Sequence, residues 1–169
     1  MVLGMSLATF TLVHVIISLI GIGTGLLVMF GLLNGKRLGA MTSIFLVTTV
    51  LTSVTGFLFP VSHLLPSHVV GILSLLVLAI AIPALYVFHL SGGWRKTYVL
   101  TAAIALYFNC FVLVVQSFQK IPALHALAPA GKEAPFAIAQ LALLVAFVVL
   151  TIFAVKNFRA AETARATAA

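Results

Sequence analysis

Acidic residues are almost missing from this 169-residue chain, in which Glu133 and Glu162 are the only two carboxylates. Both fall outside the long apolar runs. That excludes the acid pairs of glycoside hydrolysis and the buried carboxylates of proton-coupled pumps. Cysteine is scarcer still: Cys110 stands alone in the middle of an apolar segment. An intramolecular disulfide is therefore impossible, thiolate metal clusters lack their sulfurs, and the residue reads as a small buried hydrophobe. Charge of either sign is thin, at 7% against 63% hydrophobic residues, where an ordinary soluble domain carries about 25% charged residues. The composition is that of a membrane protein, with the lipid bilayer as its first partner. The formal net charge of +7 does not point to nucleic acid. The Lys and Arg residues sit in small groups at the ends of apolar segments, with no basic aromatic patch. P-loop and Rossmann fingerprints are absent too, since the GIGTG at 21–25 has no preceding strand and lies inside an apolar helix. Gly21 and Gly25 have the spacing of a close helix contact.

A spanning helix needs about 20 apolar residues, and the alternating pattern of a membrane barrel is lacking. Five segments qualify, at about 9–33, 39–59, 67–90, 97–118 and 135–158. The expected fold is an all-α integral membrane bundle of five helices forming one domain over 1–158, with a polar tail at 159–169. The first segment has no basic start and exceeds a signal-peptide core, so it is expected to be a mature helix. Lys36, Arg37, Arg95, Lys96, Lys156, Arg159 and Arg165 fall on one side of the bundle, Lys120 and Lys132 on the other. The excess places the first group in the cytoplasm, the N-terminus outside and the C-terminus inside.

Four of the five histidines then gather at the outer side. His14 lies 20 residues before Asn34, about 30 Å along a helix. His63 and His68 belong to the PVSHLLPSH connection between the second and third helices, and His125 to the connection between the fourth and fifth. His89 reaches the opposite face, where it is read as an interfacial anchor beside Tyr86 and Trp94. Imidazole is the commonest metal ligand and also holds haem iron axially. Ser67 can cap the third helix, which puts His68 in its first turn at the outer mouth. The QKIPALHALAPAGKEAP connection holds three prolines and an apolar centre. It is expected to fold as a short amphipathic turn or helix, either carrying His125 over the mouth or lying on lipid headgroups.

Polar residues fall on stripes of the second helix (Thr42, Thr49, Thr52, Ser53) and the fourth (Asn109, Gln116), and Gln140 adds to the fifth. Such groups turn inward, to bond between helices or to line a cavity, and Thr49, Ser53, Asn109, Gln116 and Gln140 are the candidate lining. Pro83 interrupts the third helix and removes one backbone donor.

The stretch from TGFLFP through YVFHLSGGWRKTYVLTAAIALYFN to FVLVVQSFQKIPALHALAP resembles a family of small proteobacterial multi-span integral membrane proteins over most of the chain. That resemblance implies the bacterial inner membrane and brings no activity with it. The chain is also weakly similar to small membrane cytochromes, in which helix-borne histidines hold b-type haem. The 21-residue gap from His68 to His89 is too long for one haem. What this second likeness implies is therefore a haem at the outer boundary, with His14 and one of His63 or His68 as axial ligands. The leading expectation is a redox-linked or metal-handling protein whose outer-face site binds b-type haem through those residues, or a copper- or zinc-like ion through His14, His63, His68 and His125. An accessory subunit docking on a membrane protein partner or on a second copy comes next. A small-molecule or lipid carrier ranks third for want of an intramembrane carboxylate. Ser, Thr and His occur together, but no acylation motif assigns them to an enzyme.

Overall fold

The computed structural model describes residues 2–60 and 66–167, so His63 lies outside the described residues. The chain forms six helices: α1 (Leu7–Leu33), α2 (Gly39–Gly56), α3 (Pro66–Tyr86), α4 (Trp94–Lys120), the short α5 (Pro122–Leu127) and α6 (Ala134–Thr167). All but α5 are long and apolar enough to cross a membrane. The outward faces agree. Leu12 is 60% exposed, Leu76 58% and Ile138 65%, an apolar belt that water would not tolerate on this scale but lipid covers.

Local chemistry sets the helix ends. Ser6 caps α1, its hydroxyl accepting from the Thr9 N–H at 3.1 Å. The helix closes where Gly35 takes a φ of 65° and the Lys36 N–H donates to the Gly31 carbonyl at 2.8 Å, a left-handed stop that glycine makes without a Cβ clash. α2 ends at Gly56, three residues short of the expected Phe59. α3 continues past Pro83 but ends at Tyr86. His89 therefore does not continue the helix. It and Leu90 adopt positive φ (48° and 61°), with the Leu90 N–H donating to the Ala84 carbonyl at 3.0 Å. Phe88 stacks on Trp94 at 3.9 Å to close the turn into α4. α6 runs as one helix of 34 residues through to Thr167 where a polar tail was expected. At 1.5 Å per residue it is about 50 Å long, so part of it projects beyond a 30 Å hydrocarbon layer.

The first four long helices form a ring in chain order, with α2 and α4 each packed between α1 and α3. α6 lies outside the ring on α1 and α4. Tyr107 meets Phe147 edge-on at 5.7 Å in that seam. Amides fasten it at both ends: Gln140 donates to the Phe111 carbonyl at 3.3 Å and Asn157 to the Leu33 carbonyl at 2.8 Å. The packed core occupies the half of the ring that ends at Lys36, Arg37 and Arg95. Val28, Met29, Phe45, Leu46, Leu78, Tyr98 and Leu106 fill it, each less than 5% exposed. Gly25 is the closest approach in that core. A Cβ there would lie 2.5 Å from a Leu106 methyl and 2.8 Å from the Phe45 ring. Below this level the side chains leave only a smaller cavity of about 210 Å³ beside Arg37, Thr42, Tyr86 and His89, and the opposite half of the ring is open.

Candidate functional site

Where the core stops, a cavity begins. Its volume is about 610 Å³ and its walls come from α1, α2, α3, α4 and the residues that follow α2 and α4. That size falls within the 300–1,000 Å³ of small-molecule and cofactor sites. The floor is a polar layer in which the Asn109 amide donates to the Thr49 hydroxyl at 3.2 Å and Ser53 bonds Ser74 at 3.1 Å. Gly21 lets α1 close on this layer, since a Cβ there would sit 3.1 Å from the Thr48 hydroxyl and 3.6 Å from the Asn109 amide. Both glycines singled out in GIGTG are thus packing positions, as their spacing predicts.

From that shared level the two helices rise together towards the mouth. His14 is seven residues above Gly21 on α1, and Gln116 seven residues above Asn109 on α4. The two therefore face the cavity at about the same height, about 10 Å above the floor. Thr11, His14 and Ser18 form one stripe of the α1 wall, at the i, i+3, i+7 spacing of a single helix face. The α4 wall carries Asn109, Gln116 and, at the mouth, Lys120. Among the described residues, Lys120 is the only Lys or Arg in the lining, and no carboxylate is in it.

His14 and His68 come from α1 and α3, which stand diagonally across the ring, and both line the cavity. The end of α2 reaches each of them. Phe59 meets the His14 ring edge-on at 5.2 Å, while Phe57 stacks on His68 at 5.5 Å with the planes 17° apart. His68 is buried, at 7% exposure. His14 Nδ1 lies 2.8 Å from the Thr55 hydroxyl oxygen. The first turn of α3 carries His68, as the Pro66-Ser67 start signal predicts.

The other expected residues divide. Ser53, Asn109 and Gln116 line the cavity, while Thr49, fully buried, supports it from below through Asn109. Gln140 is on α6, outside the lining, where its bond to Phe111 docks the helix. α5 forms where a short helix was expected, but His125 on it is exposed and does not line the cavity. Among the described residues no three His, Cys, Asp or Glu side chains come together to hold a metal ion. Two contributors escaped the sequence reading. Thr55 sits off the stripe defined by Thr49, Thr52 and Ser53, and the aromatic pair Phe57 and Phe59 was taken as the last turn of a helix that stops at Gly56. Thr11 and Ser18 went unread as well, although their i, i+3, i+7 spacing with His14 was the signal that could have found them.

Chemically the cavity is an apolar chamber with two imidazoles from opposed helices, a ring of hydroxyls and amides, and one cation at its mouth. Comparison with family models, curated proteins and solved structures finds no match for the chain.

Proposed function

We propose that the protein is a cofactor-binding protein of the bacterial inner membrane whose outer-face cavity holds b-type haem between His14 and His68, in a redox-linked role. One observation carries the reading: two histidines 54 residues apart, on diagonally placed helices, line the same cavity. The surroundings fit the group. About 610 Å³ of mostly apolar space suits a flat macrocycle, Gly71 and Gly56 leave room for the Phe57 and His14 rings at its walls, and Lys120 at the mouth offers a cation for carboxylates. Bound there, haem would supply one-electron chemistry, with axial imidazoles among the levers that set its potential. The chain's own residues would hold it, exclude water from its faces through Phe57 and Phe59, and keep its acidic edge at the membrane surface. The outer location rests on the seven-to-two distribution of positive charge, which puts Lys36, Arg37, Arg95 and Lys96 in the cytoplasm and the cavity mouth outside.

A copper- or zinc-like ion is the second reading, favoured by His63 lying five residues before His68 in the same connection. His14, His63 and His68 would then supply neutral nitrogen ligands, without His125, which lies on α5 outside the cavity. The lack of lining carboxylates argues against calcium or magnesium. The test is cofactor content of His14→Ala and His68→Ala beside the parent protein. Both variants should lose bound haem, or the metal on the second reading. Full occupancy in both would contradict the proposal and bring forward the accessory-subunit reading.

A further inference from the structure

Protons and lone pairs are unevenly shared around the cavity. Thr11, Ser18 and Ser117 each donate their hydroxyl proton to a carbonyl of their own helix, those of Leu7, His14 and Leu113, at 2.8, 2.7 and 2.8 Å. Each keeps oxygen lone pairs and has no proton left over. Thr55 does the same, donating to the Leu51 carbonyl at 2.7 Å, and its oxygen is the atom 2.8 Å from His14 Nδ1. A hydroxyl has a single proton. The Leu51 carbonyl can only accept, so the one arrangement that makes both contacts hydrogen bonds has Thr55 donating to Leu51 and the imidazole donating from Nδ1. A neutral ring then carries its lone pair on Nε2. Nε2 has no hydrogen-bond partner among the described residues, and His14 lines the cavity.

We propose that Thr55 is a positioning residue that locks His14 in its Nδ1-protonated form. The α1 wall of the cavity (Thr11, His14 and Ser18) then offers only lone pairs and takes an electron-poor centre: a metal ion, haem iron included, or the N–H or O–H edge of an organic ligand. The inference deepens the binding role assigned to the cavity and rests on it. The lock itself is a property of the empty protein. On the neighbouring α4 wall the Gln116 amide, the second N–H of the Asn109 amide and the Lys120 ammonium supply donors, so a ligand has a defined way round: electron-poor side to α1, acceptor or anionic side to α4.

The experiment uses the full-length protein in detergent at neutral pH, with nitrogen-15 in its histidines and the His14 signals assigned through His14→Gln. The parent protein and Thr55→Ser should both show His14 protonated at Nδ1. Thr55→Val, which keeps the shape and removes the acceptor, should shift the ring towards the Nε2-protonated form. Titration with ferric protohaem as the probe should show affinity falling about 10- to 100-fold in Thr55→Val, the cost usual for removing the group that orients a ligating histidine, and recovering in Thr55→Ser. A parent His14 protonated at Nε2, or an Nδ1-protonated ring unchanged in Thr55→Val, overturns the lock. If protohaem fails to bind while the tautomer pattern appears as expected, the lock stands and the haem reading of the cavity falls.

Discussion

A hydroxyl inside a membrane helix ordinarily settles its proton on the carbonyl one turn back, which spares hydrocarbon an unpaired donor. In this chain that habit has a chemical consequence, because it turns the hydroxyls of the α1 wall, Thr11 and Ser18, into acceptors beside His14. The same economy of space appears at the glycines. Gly25 faces a rotatable Leu106 methyl and the rigid edge of the Phe45 ring, two of whose carbons would lie 2.8 and 2.9 Å from an added Cβ, whereas Gly23, two residues earlier, has nothing within 4 Å. Gly25→Ala should therefore destabilise the bundle by about 1–3 kcal/mol, the range for overpacking. Gly23→Ala should be neutral, or stabilising by up to about 1 kcal/mol as a helix interior gains alanine. Thermal unfolding of the two variants in one detergent separates them, and equal losses would show that the α1–α2–α4 seam is looser than its spacing.

At the scale of elements, five apolar runs of spanning length could be read directly because lipid imposes their length and a single solvent preference on every outward face. Their ends were less legible. α2 stops at Gly56 and α3 at Tyr86 because terminal turns depend on individual hydrogen bonds that hydropathy does not encode. His68 was placed correctly, since Pro66-Ser67 is a local signal. Thr55 and Phe57 were missed because their importance arises only when α1 and α3 arrive beside them. The turn into α6 shows local chemistry at its clearest. Glu133 accepts from the Ala130 N–H at 3.0 Å and the Lys132 N–H at 2.9 Å, while its own carbonyl accepts from Phe136 and Ala137 in the first turn of the helix. Those N–H donors, Ala130 first and Lys132 next, hold its carboxyl below the ordinary glutamate value. A lowered folded value means that the turn gains its stabilisation fully above the ordinary glutamate range and loses it as pH falls through the folded value. Hydrogen exchange, corrected for intrinsic rates, should show Ala130 and Lys132 better protected in the parent protein than in Glu133→Gln at neutral pH. The difference should fade in acid. A difference that grew with acidity would reverse the assigned sign.

The whole molecule is a bundle packed at one end and hollow at the other, and it is this asymmetry that gives it a site. The sequence disclosed some of the polar residues that belonged inside, Ser53, Asn109 and Gln116 among them, because hydrocarbon forces them inward. It did not disclose that the chamber would be walled by α1 to α4 with α6 outside, since five spans of similar hydropathy can be arranged in several orders. The orientation proposed from the charge distribution is directly measurable. In a Cys110→Ala background, an impermeant thiol reagent added to intact spheroplasts should label Gly131→Cys, in the turn before α6, and spare Gly92→Cys, in the turn before α4. The reverse pattern would put the cavity mouth in the cytoplasm.

What fills that chamber decides the proposed role of the protein. The deciding measurement is an absorption spectrum of the detergent-purified parent protein, oxidised and dithionite-reduced, with elemental analysis of the same sample, after expression with adequate haem and metals. A Soret band with sharp bands on reduction, near one haem per chain and lost in His14→Ala and His68→Ala, is the predicted result. A colourless protein without stoichiometric metal would contradict it, and His14 and His68 would then line a cavity that holds neither haem nor metal.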